Sequence, residues 1–178
     1  MSTDTASIRL TVGDLYDRAT GFYGERTAVT HEWRSYTYAD LRAKARALVS
    51  ALQSLGIAKD DRIAFLMANC AEYIYCEYAV AKGGATRVPL AVLLANDDHV
   101  YMMNFAECKT LIYHVKLAPR VLEMASKLES VRHYICVADD ASKVAFATLP
   151  PSHQREYADR IAGRSRRRHA QRVAGVIA

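Results

Sequence analysis

A chain of 178 residues, 51% hydrophobic and 24% charged, is long enough for one ordinary domain, or one domain and a tail. Folding at this size buries roughly 70% of the surface that the unfolded chain exposes, enough for a real core. The composition excludes collagen, low-complexity disorder and a disulfide-stapled miniprotein. Charged residues interrupt every apolar run before the ~18 residues of a membrane helix, and the opening MSTDTASIRL lacks the pattern of a secretory signal. A soluble, cytoplasmic protein with no membrane span is expected.

The net charge of +5 is unevenly distributed. Residues 152–178 carry seven Arg, no Lys and two acids, whereas residues 1–151 hold 17 basic and 17 acidic side chains and are neutral. The shift follows Pro150-Pro151 and divides the chain into a 1–151 α/β domain and a 152–178 basic tail. The basic cluster Arg164 and Arg166–Arg168 has no interleaved aromatic and no recognition helix is evident, so nucleic-acid binding is not expected. Its Arg- and Ala-rich composition suits GC-rich DNA read out of frame, and a disordered or out-of-frame segment is expected there.

In chain order, Thr11 and Asp14 form a capping box opening a helix to about Tyr23. Residues 27–30 and 35–37 read as a hairpin about a 31–34 turn. Thr37 and Asp40 form a second capping box. Leu41, Ala45, Leu48, Leu52 and Leu55 then mark one face of a long amphipathic helix that Gly56 closes. Ile63–Met67 is a strand covered on both faces, and Asn69 is the expected N-cap of a buried helix over about 71–82. Gly83-Gly84 leads into a strand at 86–90, and Asn96 or Asp97 caps a helix to about Ala106. A strand at 110–113, a helix with Pro119 in its first turn and running to about Leu128, and a strand at 133–137 follow. From Asp61 the order is β-α-β-α-β-α-β, which predicts an α/β fold with a mainly parallel layered sheet and flanking helices.

Few residues suggest chemistry. The eight glycines make neither G-x-G-x-x-G nor G-K-[ST], and there is no G-x-S-x-G elbow. Cys70, Cys76, Cys108 and Cys136 form no C-x-x-C pair and read as reduced core thiols. His31, His99, His114, His133, His153 and His169 fall at no metal-ligand spacing. The acid pairs 60–61, 97–98 and 139–140 read as loops and caps, and Tyr73, Tyr75 and Tyr78 as packing. No catalytic, cofactor-binding or metal residue is assigned.

Several segments, in order, resemble the AMP-forming acyl-CoA synthetases of the adenylate-forming superfamily. Ser35–Leu41 (SYTYADL) resembles its "TYxEL" helix entry, and Leu52–Ile57 (LQSLGI) its "ALxxLGV" helix end. Asp61–Leu66 (DRIAFL) is similar to "GDRVAILL", with Asp60 in place of the usual Gly. Ala68–Glu72 (ANCAE) stands for "PNSPE", and Lys82–Leu90 (KGGATRVPL) for "KAGAVVVPL". The segment Pro89–Leu93 (PLAVL) departs from the family's "PLNxR".

The resemblance covers about residues 8–140 and implies the amino-terminal part of a fatty-acid–CoA-ligase-like enzyme. Such an enzyme joins a carboxylate to AMP at the expense of ATP, then passes the acyl group to coenzyme A. The family uses ATP, magnesium and CoA. Its phosphate loop ending in Pro-Lys-Gly and its C-terminal lysine do not occur among these 178 residues. The expectation is therefore an inactive truncated fragment that binds none of these cofactors. The alternative is a non-catalytic module that pairs with itself or with synthetase domains.

Overall fold

The computed structural model describes residues 10–32 and 34–137. The expected assignments at 139–140 and 152–178 lie outside these residues. The first helix, α1 (Val12–Tyr23), begins with the expected capping box: Asp14 N–H donates to Thr11 Oγ1 at 3.2 Å, and Thr11 N–H donates to Asp14 Oδ2 at 2.8 Å. α1 lies unusually close to a later helix, α3 (Ala71–Lys82), because a Cβ on Gly13 would stand 3.1 Å from Lys82 Cα. Polar contacts complete this seam: Asp17 accepts from both Tyr78 and Lys82, and the Tyr16 and Tyr78 rings stack at 4.6 Å.

Strands β1 (Thr27–His31) and β2 (Arg34–Thr37) form the antiparallel hairpin, with Val29 opposite Tyr36 and His31 opposite Arg34. Both strands run further than expected. Ladder pairing of His31 with Arg34 extends both strands into the expected 31–34 turn, and Glu32 takes the left-handed φ of 54° that a tight hairpin connection favours. The second capping box, Thr37 with Asp40, opens α2 (Tyr38–Ser54). α2 buries Leu41, Ala45, Leu48 and Leu52, as their spacing predicts. Its end is a Schellman motif: Gly56 at φ 79° donates to Gln53 O and Ile57 donates to Leu52 O.

Four strands, β3 (Arg62–Leu66), β4 (Thr86–Pro89), β5 (Thr110–His114) and β6 (His133–Val137), form an all-parallel sheet in the order β4-β3-β5-β6. Ile63 lies opposite Thr110 and Arg87, and Thr110 opposite His133. The expected α/β architecture is present. Side-chain alternation splits the core into two clusters. Ile63, Phe65, Met67, Ile112, Ile135 and Val137 pack on the α2 and α3 layer. Ala64, Leu66, Leu111 and Tyr113 pack on α4 (Asn96–Phe105) and α5 (Ala118–Met124). Among the described residues β6 has no neighbour beyond β5, and no helix among them is long and apolar enough to cross a membrane.

Two caps differ from expectation. Cys70, not Asn69, is the N-cap of α3, and it makes no side-chain capping bond. The helix starts one residue late for Asn69, and apolar packing of α3 supplies what the cap does not. Ala95, not Asn96 or Asp97, is the N-cap of α4; the Asp98 carboxylate accepts from its N–H at 3.3 Å. Asn96 is instead committed to Arg120 and Glu123. α5 also stops early, at Met124, and a 3-10 turn at Ala125–Lys127 completes the segment.

Leu48 is almost wholly buried in the first cluster. Leu48→Ala should cost about 2–4 kcal/mol in a denaturant melt, and a loss within error of zero would contradict this packing. Hydrogen bonds from Lys82 and then Tyr78 hold the Asp17 carboxyl below its usual 3.8. A depressed folded value stabilises above that pH and is lost as pH falls through the folded value. Asp17→Asn should therefore flatten the acid limb of stability below about pH 4, and slopes equal to wild type would contradict it.

Candidate functional site

The sheet connections show where a ligand crevice belongs. From β3 the chain passes over one face through α3 to β4, then returns over the other face through α4 to β5, on the far side of β3. This reversal is a topological switch point, and in open α/β sheets ligands bind at such points, outside the carboxyl ends of the strands. Among the described residues, three turns meet that edge: residues 67–70 after β3, residues 90–95 after β4, and a 3-10 turn at Val115–Leu117 after β5.

The turn after β4 is the most highly organised. Arg120 reaches it from α5 and donates from Nε to Asn96 Oδ1 at 2.8 Å, from Nη1 to Val92 O at 2.6 Å, and from Nη2 to Leu94 O. His99, fully buried on α4, donates from Nε2 to Ala91 O at 2.9 Å, which leaves Nδ1 facing Arg120 Nη2 at 3.4 Å. Charge-assisted bonds of this kind are among the stronger ones in proteins. They hold the turn while Leu93 points into solvent.

The other two turns offer little chemistry. Asn69 is exposed, and burial pushes the Cys70 thiol up to about 11, which keeps it protonated and unreactive. After β5, His114 Nδ1 accepts from Lys116 N–H at 3.2 Å, and Lys116 is exposed. Glu72, in the first turn of α3, is completely buried and paired with Arg34 Nη2 at 3.1 Å. Lys44 lies 5.6 Å from the Tyr36 and Tyr75 ring centres beside it. This is a structural charge cluster beneath the hairpin, where removing one partner would strand the other in a dry site.

A second concavity, a groove of about 480 Å³, lies at the opposite end of the sheet among Asp61, Arg62, Glu107, Lys109, Glu129 and Arg132. Its charges are largely spent on one another: Lys109 pairs with Asp61 at 2.6 Å and Arg62 with Glu107 at 3.3 Å. Position and self-pairing both argue against a ligand site there. Among the described residues no three His, Cys, Asp or Glu side chains gather as metal ligands.

Among the described residues, those weighed from the sequence form no shared reactive site, although Cys70, Tyr75 and Cys76 are neighbours on α3 and its N-cap. Cys76 and Cys108 are buried, Cys70 and Cys136 half-buried, and all four are free thiols, as expected. Tyr75 and Tyr78 are core residues. Tyr73 packs edge-on against Phe65 and accepts a hydrogen bond from Arg87 at 3.0 Å. Asp61 caps its own loop by accepting from Ala58 N–H at 2.9 Å. Sequence reasoning missed Arg120 and the burial of His99, whose partners lie 8 to 28 residues away and leave no local pattern. Glu72 did leave a signal, because a carboxylate on a helix apolar nearly all round must be buried and needs a cation.

Arg120→Met should raise amide hydrogen exchange across residues 91–96 at least about tenfold while leaving β3 and β5 unchanged, since it strands several acceptors at once. Exchange equal to wild type would show that the turn is held by something else.

The fold and its turns can be set beside known proteins. The crotonobetaine/carnitine–CoA ligase of Salmonella enteritidis is 29% identical over 128 residues, 69% of this chain and 25% of that protein. The chain thus spans about a quarter of the length of the curated relatives it matches. The Mycobacterium tuberculosis fatty acyl CoA synthetase is 28% identical with a TM-score of 0.64, over 71% of this chain and 26% of that one. A benzoate CoA ligase from Burkholderia xenovorans, 24% identical with a TM-score of 0.66 over 71% and 26%, shares the fold. The model of the family described as AMP-binding enzyme matches residues 16–174, a span that takes in most of the Arg-rich segment. The chain belongs to the AMP-binding enzyme family.

Proposed function

We propose that these residues form the amino-terminal sheet layer of an AMP-forming acid–CoA ligase and do not catalyse the reaction by themselves. The parent reaction joins a carboxylate oxygen to the α-phosphorus of ATP with loss of pyrophosphate. The CoA thiol then attacks the acyl carbon, and AMP leaves. The observation that carries the reading is the match to CoA ligases over about a quarter of their length, combined with what lies at the carboxyl edge of the sheet.

Among the described residues, the turns of that edge on either side of the switch point offer few groups for a triphosphate or magnesium, which supports the reading. Asn69, Cys70, His114 and Lys116 are its polar groups on either side of the switch point, and the nearby carboxylate of Glu72 is buried against Arg34. Charge developing at phosphorus must be met by preorganised donors, a contribution of several kcal/mol to the barrier. No glycine-rich phosphate loop occurs in the 178 residues to provide them. No step is assigned to residues of this chain.

A second reading, a non-catalytic module that pairs with itself or with a synthetase, is favoured by the exposed apolar side chains of α4, including Tyr101 and Phe105.

The test is carboxylate-dependent exchange of labelled pyrophosphate into ATP by the purified chain, over a panel of fatty, aromatic and betaine-type acids. The expected result is no exchange above a protein-free blank. Acid-dependent exchange that survives repurification would overturn the proposal.

A further inference from the structure

We infer that the outer face of α4, with the turn before it, is a self-association surface through which two copies of this chain form a two-fold dimer. Four apolar side chains lie there in solvent: Leu93 at 99% exposure, Leu94 at 39%, Tyr101 at 68% and Phe105 at 78%. Tyr101 and Phe105, four residues apart on one helical face, stack on each other at 5.8 Å. Leu93 and Leu94 stand in the turn that Arg120 and His99 hold. The patch is therefore preformed at both ends, by stacking at one and by a hydrogen-bonded guanidinium at the other. Preorganisation lowers the entropy cost of association.

The area suits a second copy. At ~160–210 Å² for a fully exposed side chain of these types, the four expose about 500 Å² of largely apolar surface. A standard interface buries about 800 Å² per partner, some 55–65% of it apolar, so the patch matches the apolar core that one side requires. Its halves also complement each other. A two-fold axis across the middle of α4 runs the two helices antiparallel and lays the aromatic pair of each copy on the leucine ledge of the other. In that register Asp98, exposed at the amino end of α4, faces Tyr101 of the copy, whose hydroxyl can donate to the carboxylate. Antiparallel helices also keep the acidic pair Asp97-Asp98 of one copy away from that of the other.

A second apolar face, on α1, exposes Leu10, Val12, Leu15, Phe22 and Tyr23. It begins where the described residues begin, and no clamp comparable to Arg120 holds it. It provides the control surface.

The experiment is sedimentation equilibrium of the full 178-residue chain at about 100 µM, where a standard-size interface is populated, alongside Phe105→Asp, Leu93→Asp and Leu15→Asp. Each variant is accepted once its melt is as cooperative as that of wild type; all three sites are surface positions. The expected result is a dimer for wild type and Leu15→Asp. Both α4 variants should be monomers, with dissociation constants raised at least about tenfold. A monomeric wild type would overturn the inference, as would assembly that persists in both α4 variants or dissolves in Leu15→Asp. The inference rests on the self-pairing reading and not on the ligase reading, which pyrophosphate exchange tests separately.

Discussion

The pairing of β3 with β5, each covered on both faces, is the constraint on which the remaining architecture rests. All five residues of β5 are buried, as are four of the five in β3. Their alternation sends Ile63, Phe65 and Ile112 into one core and Leu66, Leu111 and Tyr113 into the other. Each such side chain contributes about 1.5–3 kcal/mol on burial. Against a total stability of 5–15 kcal/mol for a typical domain, loss of one layer of cover would exceed the margin. The helices are therefore obligatory covers. Their placement on both faces creates the reversal between β3 and β5 that marks the carboxyl-edge crevice.

The two layers are attached differently. α2 and α3 pack largely through apolar surface, whereas α1 docks on α3 through a glycine contact, a tyrosine stack and the Asp17 network. α1 thus depends on geometry and charge more than on buried area, and it leaves apolar side chains in solvent. On the other layer, Arg120 bonds to groups on three sides of one turn and carries order from α5 to the carboxyl edge. The Arg120 device fixes the backbone that carries Leu93 and Leu94 at the surface, whereas the contacts of α1 fix its inner face and leave its outer apolar side chains unclamped.

Much of this was legible in the sequence, because periodicity and capping chemistry are local. The Thr11/Asp14 and Thr37/Asp40 boxes, the Leu41–Leu52 stripe with its Gly56 stop, and the alternation of strands and helices along the chain from β3 to β6 all follow from residues within one or two turns of each other. The caps of α3 and α4 were misplaced by one or two residues, because tertiary packing set those helix starts and Asn96 was drawn to Arg120. Neither the strand order nor the buried Arg34–Glu72 pair has a local signature. The family resemblance was carried by short segments that cover this sheet, and the family match agrees with it. The candidate site was not legible, since its one organised element is assembled from α4, α5 and a turn that are adjacent only in the fold.

The claim that the doubly covered β3–β5 pair is the keystone is tested most directly by native-state hydrogen exchange, resolved by residue, under increasing denaturant. The account predicts that amides of residues 63–66 and 111–113 are the last to exchange, with free energies equal to that of global unfolding. α1 and the outer side of β6 should open earlier. If β3 and β5 exchanged through a partial opening while α1 or the hairpin stayed protected, stability would reside elsewhere and the account would be contradicted.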